Sequence, residues 1–450
     1  MENQFTTSLW GDEAFSAVLS RNSVPKILEI ISRDTSPPLY NITLHYWYKL
    51  FGDSEVAIRS LSFFYYLIAI LFVYKIANHL WNRKTGLVAA VFTFFNPFFF
   101  QYAFEGRMYS TLAAGVTISM YFFAKIIFPK TDSNGKIRKR ANFKDYLGYI
   151  IGTSWALYSH HFAIFAVIIQ GLWFIKELIW GYRKTAFDIF KSYLAIGVIY
   201  APWLPALYYQ TTLVSSGFWL QTPNLTNLRE LLQKYLAEGL PNKLSRYALY
   251  LTYAGYIVRR WGINITRSLF LASWFLGPIT LTWVVSQKFQ SIFFDRYLLY
   301  TIPAAMILLA SNGRKLSGII LTILLPLFIY TDYQYFVNPT KRPFKDLAAY
   351  VIEVKRGDDF LINWNAAAHH IWETKYYGLE APLYVPEGKE LPFYVGTAQM
   401  TSNDIVSEIP KKAFRVGVIT SGKREEVKVP GFKLSEIKEF GELKYILLTK

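Results

Sequence analysis

Of 450 residues, 53% are hydrophobic, 18% aromatic and only 18% charged, against about 25% charged in an ordinary soluble domain, and mean hydropathy is +0.20. The lack of any cysteine excludes disulfides, thiol nucleophiles and thiolate metal sites. The net charge of +17 tracks the apolar part of the chain: residues 338–450 hold 17 Lys+Arg and 15 Asp+Glu, the remainder 31 and 16, a pattern of membrane topology rather than of nucleic-acid binding.

From the start of the chain, Phe15, Val18 and Leu19 predict a short amphipathic helix, and Val24, Ile27, Leu28, Ile30 and Ile31 a second. Asp34-Thr35-Ser36-Pro37-Pro38 is a turn and helix-start signal. Leu39 to Phe51, with Tyr40, Trp47 and Tyr48, predicts an interfacial helix ended by Gly52. Ten apolar stretches follow: 60–80, 86–103, 109–128, 146–159, 162–180, 192–208, 245–258, 268–286, 297–310 and 316–336. The fourth, seventh and ninth fall short of the about 20 residues a span needs.

The connecting loops differ sharply in charge. Alternate loops hold Arg83, Lys84; Lys130, Lys136, Arg138, Lys139, Arg140, Lys144; Lys176, Arg183, Lys184, Lys191; Arg259, Arg260, Arg267; and Arg314, Lys315, which is 17 basic residues, against 6 (Arg107, Arg229, Lys234, Lys243, Lys288 and Arg296) on the other side. The positive-inside rule makes the first set cytoplasmic. The expected organisation is a first outer loop over 1–57, a transmembrane domain over 58–337 and an extracytoplasmic domain over 338–450. In the last, Phe344, Leu347, Ala348, Val351 and Ile352 have helical spacing, and Phe360–Ile362, Arg415–Ile419 and Tyr445–Leu448 read as strands. The expected fold is thus an α-helical polytopic membrane protein with a small C-terminal α/β domain. An outer segment at the start needs something to carry it across, so an additional membrane helix is expected ahead of Asp12.

Chemistry-bearing residues concentrate in the outer loops. Asp12 and Glu13 are adjacent and point apart, which suits one general base and one orienting or metal-binding group; the plain alternative is that Asp12 caps the following helix. Asp34 is a third outer acid. Glu105 and Tyr109 share a helical face beside Arg107, and a charge at a bundle mouth is a functional candidate or a lipid-facing ion pair. Arg296 in Asp295-Arg296-Tyr297 suits bidentate phosphate recognition or simple anchoring. His160-His161 occupies a tight outer turn, either a polar turn or part of a metal site, and His369-His370 reads as surface. No P-loop, G-x-G-x-x-G, G-x-S-x-G or H-E-x-x-H is present.

The ordered series Leu9-Trp10-Gly11-Asp12-Glu13-Ala14, Asp34-Thr35-Ser36-Pro37-Pro38-Leu39-Tyr40, Phe51-Gly52-Asp53-Ser54-Glu55 with Arg59, Glu105-Gly106-Arg107-Met108-Tyr109, Tyr158-Ser159-His160-His161-Phe162 and Asp295-Arg296-Tyr297 resembles the GT-C glycosyltransferases. Within them it is most similar to the protein O-mannosyltransferase, aminoarabinose transferase and RgtA/B/C/D-like superfamily, over residues 8–310. The resemblance implies a bundle of membrane helices with amphipathic helices in the first outer loop. It implies transfer of a sugar, a hexose or mannose, from a polyprenyl- or dolichyl-phosphate carrier to a protein, glycan or lipid acceptor, usually with inversion, on the extracytoplasmic side of the cell membrane. Nucleic acid is not an expected partner. Asp12 is then the expected base, with Glu13 positioning the acceptor or a divalent cation such as Mg or Mn. Arg107 and Arg296 are expected on the donor phosphate, and Asp34, Glu105, Tyr109, His160, His161 and Tyr297 as support. The competing class is a transporter or flippase of lipid-linked sugars.

Overall fold

The computed structural model describes residues 2–131, 137–237, 243–258, 264–311, 315–364, 370–386, 388 and 391–450. Expectations attached to Lys136, Arg259, Arg260, Arg314 and His369 lie outside the described residues.

Three helices come first: α1 (Gly11–Ser20), α2 (Val24–Ile31) and α3 (Leu39–Phe51). In α1, Ala14, Phe15, Ala17 and Leu19 are buried; in α2, Ile27, Ile30 and Ile31 are, at the one-face spacing of an amphipathic helix. α3 leaves Tyr46, Leu50 and Phe51 exposed, Leu50 to 75%, an apolar surface of the kind that lies in a membrane interface.

The apolar stretches all become helical: α4 (Glu55–Leu80), α5 (Arg83–Phe94), α6 (Pro97–Gln101) and α7 (Tyr109–Ile127); then, after a short hairpin of β1 (Lys130–Thr131) and β2 (Ile137–Lys139), α8 (Phe143–Ser159), α9 (Ala163–Trp180), α10 (Arg183–Tyr200), α11 (Leu204–Ser215), α12 (Leu225–Ala237), α13 (Lys243–Ile257), α14 (Ile265–Val285), α15 (Asp295–Leu298), α16 (Ile302–Ala310) and α17 (Lys315–Val337). Among the described residues six helices are long and apolar enough to cross a membrane, with α10 and α11 running on as one, and the α5–α6 pair makes a seventh if counted as a single span. The chain is a multi-pass membrane protein. The shortest stretches stay short: α8 has 17 residues and α13 has 15. The 297–310 stretch breaks into α15, a 3-10 turn and the nine-residue α16, which by itself rises only about 14 Å.

Two local features shape this region. The 60° bend between α5 and the segment starting at Pro97 falls at Asn96, whose side chain accepts the Phe99 N–H (3.0 Å) and donates to the Tyr235 carbonyl (2.8 Å). Proline tolerates the first helical turn but not continuation of the preceding helix, so the side chain serves groups the break exposes. Close approach of α7 to α8 needs glycine: a Cβ on Gly115 would lie 2.8 Å from the Ala156 nitrogen, and one on Gly152 2.7 Å from the Ser119 nitrogen. Small residues of this kind let membrane helices pack backbone to backbone.

After α17 come α18 (Phe344–Val354), β3 (Phe360–Trp364), α19 (His370–Tyr376), β4 (Leu383–Tyr384), β5 (Ile405–Val406), β6 (Arg415–Thr420), β7 (Lys433–Phe440) and β8 (Leu443–Thr449). The strands form one six-stranded sheet in the order β5-β4-β3-β6-β8-β7, parallel from β5 to β6 and antiparallel through β8 and β7. Strand alternation divides the core. Leu361, Ile419 and Tyr445 meet Phe344, Leu347 and Val351 of α18, while Ile362, Val418 and Ile446 pack in a second cluster. Ile352, expected on the buried face, is 61% exposed; one residue past Val351, it has turned away from the sheet. The chain divides into two compact units, one of Met1–Thr35, Asn41–Ile58 and Asn338–Lys450, the other of Ser36–Tyr40 and Arg59–Val337. The acidic motif and the C-terminal sheet domain therefore belong to one unit, although the sequence separates them by the whole bundle.

Candidate active site

In the membrane unit, the loop from Glu105 to Met108 enters α7, with the Arg107 N–H donating to the Glu105 carbonyl at 2.7 Å. Ser110 Oγ donates to the Tyr102 carbonyl at 2.8 Å and fixes the start of the helix. α15 brings up Arg296. Asp295, its first residue, accepts the Arg296 N–H on Oδ1 (2.7 Å) and holds Lys234 by Oδ2 (2.9 Å), and the Tyr235 hydroxyl donates to its carbonyl. The Arg296 guanidinium lies over the rings of Phe294 (4.8 Å) and Tyr109 (5.7 Å), a geometry in which aromatic faces stabilise a cation. Tyr297 stands 4.9 Å from the His160 ring and 6.3 Å from Tyr109. Tyr300 donates to the Phe162 carbonyl at 3.0 Å and ties this segment to the His160–Phe162 turn.

His160 is buried. Burial first, then the charges of His161, Arg107 and Arg296, hold its imidazole well below the usual range, so it is neutral at physiological pH. Its Nδ1 accepts the Phe162 N–H at 3.1 Å, which puts the remaining proton on Nε2, a donor. His161 has a different place: its Nε2 meets Gln210 Oε1 at 2.7 Å and its Nδ1 the Tyr200 hydroxyl at 3.4 Å. Burial holds it at about 4. Gln210 in turn donates to the Ser36 carbonyl at 3.3 Å. The histidine pair is thus split: His160 stands with the arginines and tyrosines, and His161 braces α10 and α11. Glu105 is buried at the same loop as Arg107.

In the other unit, α1 starts at an extended Trp10, whose N–H is accepted by Glu13 at 3.4 Å. Where the sequence offers Asp12 as a capping residue, the returning side chain is that of Glu13, at the third helical position. Glu13 is 0% exposed and pairs at 2.8 Å with Lys341, whose side chain is 13% exposed. Its carboxylate is therefore occupied by structure. Asp12 is half-buried beside it. A third carboxyl, that of Glu373 on α19, meets this helix start. Burial pushes it well above the usual carboxylate range; Arg342 opposes that, Asp12 and Glu13 reinforce it, and the Gly11 N–H lowers it. Phe15 packs edge-on against Trp372 at 5.2 Å, Trp372 donates to the Val395 carbonyl at 2.9 Å, and Tyr377 accepts the Leu9 N–H at 3.0 Å. Gly396 completes the seat: it has φ +87, and a Cβ there would lie 2.8 Å from both Phe15 and Trp372. Asp34 is buried at the end of α2. Among the described residues no group of three His, Cys, Asp or Glu is placed to hold a metal ion.

The fold can be compared with solved structures. ArnT from Cupriavidus metallidurans in the apo state superposes with a TM-score of 0.68 at 12% identity, covering 99% of this chain and 94% of that one. The chain has a GT-C fold. The same ArnT bound to undecaprenyl phosphate gives 0.59 at 14% identity over 98% and 94%. The Archaeoglobus fulgidus oligosaccharyltransferase gives 0.50 at 12% identity, covering 90% of this chain but 62% of its own length. Residues 35–209 match the family described as dolichyl-phosphate-mannose-protein mannosyltransferase. No curated protein sequence matches significantly. The matched segment of the GT-C fold carries Arg107, Tyr109 and His160; Asp12 precedes it and Arg296 follows it.

Sequence reasoning missed Lys341 and Glu373, which have no spacing signal, and it set aside His370 as surface. The structure buries His370 to 2% exposure, with its ring 5.0 Å from Phe344, because the helix it opens is sandwiched against α1 and α18. The retrievable signal was Trp372, two residues on, since tryptophan is highly buried on average.

Proposed function

We propose that the chain is a membrane glycosyltransferase. It moves a sugar, a hexose such as mannose, from a polyprenyl- or dolichyl-phosphate carrier to a protein, glycan or lipid hydroxyl on the extracytoplasmic face. The observation that carries this reading is the grouping of Arg107, Arg296 and neutral His160 among tyrosines at one end of the membrane helices. Two guanidiniums suit a phosphate, which each can engage bidentately, and a neutral imidazole adds a donor without adding charge. The family match over residues 35–209 and the likeness to an ArnT that binds undecaprenyl phosphate support a lipid-phosphate donor.

In this reading the acceptor hydroxyl loses its proton to Asp12 as it attacks the anomeric carbon from the side opposite the leaving group, inverting it. The polyprenyl phosphate departs with its charge offset by Arg107 and Arg296. Glu13, tied to Lys341, positions α1 and hence Asp12. Tyr109 and Tyr297 hold Arg296 and His160 in place, and Glu105, Asp34 and His161 support the loops.

The test is to incubate membranes containing the full chain with radiolabelled polyprenyl-phosphate sugars and candidate acceptors. Transfer that is lost in Arg107→Ala and Arg296→Ala is the expected result. Movement of intact donor across the bilayer without transfer would overturn it in favour of a flippase. EDTA separates two ways of offsetting charge: persistent transfer assigns it to the guanidiniums, and loss restored by Mg or Mn assigns a cation to Asp12. Since the chain has no cysteine, single cysteines at the exposed Arg33 or Asn224 should react with an impermeant maleimide from outside the cell.

A further inference from the structure

A second charged cavity lies at the other end of the membrane bundle. α7 opens with Tyr109, beside the arginine cluster, and closes with Lys125 in its last turn. Sixteen residues of helix separate the two by about 24 Å, close to the thickness of a bilayer core. At the Lys125 end is a cavity of about 250 Å³ into which Lys75, Lys125, Lys130 and Arg140 all project, with Asp145 the one carboxylate among the described lining residues. At about 30 Å³ per water, that is room for a headgroup rather than for a single ion.

Asp145 is already used. It pairs with Lys125 and accepts the Asn142 N–H at 3.0 Å as part of the capping box of α8. The other cations meet aromatic faces: Lys75 lies 4.6 Å from the Phe72 ring, and Arg140 lies 3.7 Å from that of Tyr182. Among the described residues four cations thus gather around one carboxylate, a local excess of positive charge that attracts an anion. His79, which also lines the cavity, is oriented by a 2.9 Å hydrogen bond to the Phe128 carbonyl.

The surroundings identify the anion's other half. From the cavity, α4 leads away with Leu71, Leu67 and Phe64 exposed, and α8 with Phe143, Leu147 and Ile151, Phe143 to 78%. Each set recurs at three- or four-residue spacing, so each is a stripe on one helix face. A phosphate pocket continuous with two apolar stripes fits a phosphodiester carrying acyl chains better than a soluble anion. We propose that this cavity binds the headgroup of an acidic phospholipid, on the membrane face opposite the arginine cluster, as basic pockets between membrane helices can do.

The experiment uses the full chain, purified in detergent, delipidated and titrated with phosphatidylglycerol or phosphatidylcholine while bound lipid is counted by native mass spectrometry. Wild type should prefer phosphatidylglycerol. The double variant Lys75→Gln/Arg140→Gln should bind it about thirty-fold more weakly, roughly fivefold for each cation removed. The charge-preserving pair Lys75→Arg/Arg140→Lys should retain most of the preference and shows that the fold survives substitution there. Arg183→Gln/Lys184→Gln, which removes two exposed cations from the first turn of α10, outside the cavity, should change little. Equal weakening by that control would mean a diffuse basic surface and would overturn the proposal. So would unchanged binding by the cavity variant, or displacement of the lipid by millimolar inorganic phosphate, which would assign the cavity to a soluble anion.

Discussion

In the membrane unit Arg296 rests on aromatic faces, 4.8 Å from Phe294, and the neighbouring His160 is kept neutral. In the other unit the carboxyls meet opposite charge and protons instead. Glu13 is paired with Lys341, and Glu373 is pushed toward its protonated form. The difference fits the roles proposed for each. For the proposed phosphate site, the aromatic faces leave the Arg296 charge available, whereas the neighbouring Lys234 is already paired with Asp295. In the proposed reaction the base would be Asp12, whose neighbours are an ion-paired carboxylate, Glu13, and a carboxyl pushed toward its protonated form, Glu373.

The division can be broken most directly at Asp12. Asp12→Asn should lower sugar transfer by about 10²–10⁴-fold, the usual contribution of a general base, with unchanged expression; near-normal transfer removes Asp12 from the chemistry. Lys341→Met should act through folding, because it strands a fully buried carboxylate. A loss of about 3–5 kcal/mol is expected, read as earlier unfolding of the unit that holds Glu13. Glu13→Gln combined with Lys341→Met should recover much of that loss, which neither change does alone. Arg296→Lys keeps the charge but not the fork and should cost about 10²-fold in transfer, on the scale of losing one preorganised donor, without altering thermal stability to a similar degree. Gly396→Ala meets both a positive φ and two rings at 2.8 Å. It should destabilise by roughly 1–3 kcal/mol, again in the unit holding the acidic motif.

The smallest effect is in pH, and its sign separates the units. Glu373 has a folded value raised above its unfolded one, so its contribution to stability is complete below the usual carboxylate range and is lost as pH rises toward the raised value. His161 is lowered to about 4 from 6.5, so its contribution is present above 6.5 and lost as pH falls toward 4. Hydrogen-exchange protection relative to the intrinsic rate should therefore fall with alkali at peptides covering 370–377, and with acid at those covering 158–165. Glu373→Gln should flatten the first trend alone.

Much of this arrangement is legible in the residues. The apolar runs predict the membrane helices, and Leu361, Ile362, Val418 and Ile446 alternate as a two-faced sheet requires. Tyr109, Arg296 and Tyr297 meet in the structure, and the charge of Arg107 reaches His160 beside them, because short loops at the same end of the bundle present them, and the sign of those loops can be counted. Two things are not legible. Adjacent histidines look equivalent in a sequence, yet the turn sends His160 to the arginines and His161 to Gln210. And the partner of Glu13 lies 328 residues away, where no periodicity or motif marks Lys341 apart from other lysines.

That separation also has a consequence in time. During synthesis Glu13 is made before the helices α4 to α17, and Lys341 and Glu373 only after them. At about 5–20 residues per second, the ribosome takes roughly 20–70 seconds to cover the interval. For that period α1 has neither its ion-pair partner nor the Trp372 and Gly396 seat for Phe15. The part of the chain that carries the proposed base is therefore translated ahead of the bundle and able to take its final form only after it. Premature termination anywhere before α19 would yield a membrane bundle whose acidic motif had no completed seat.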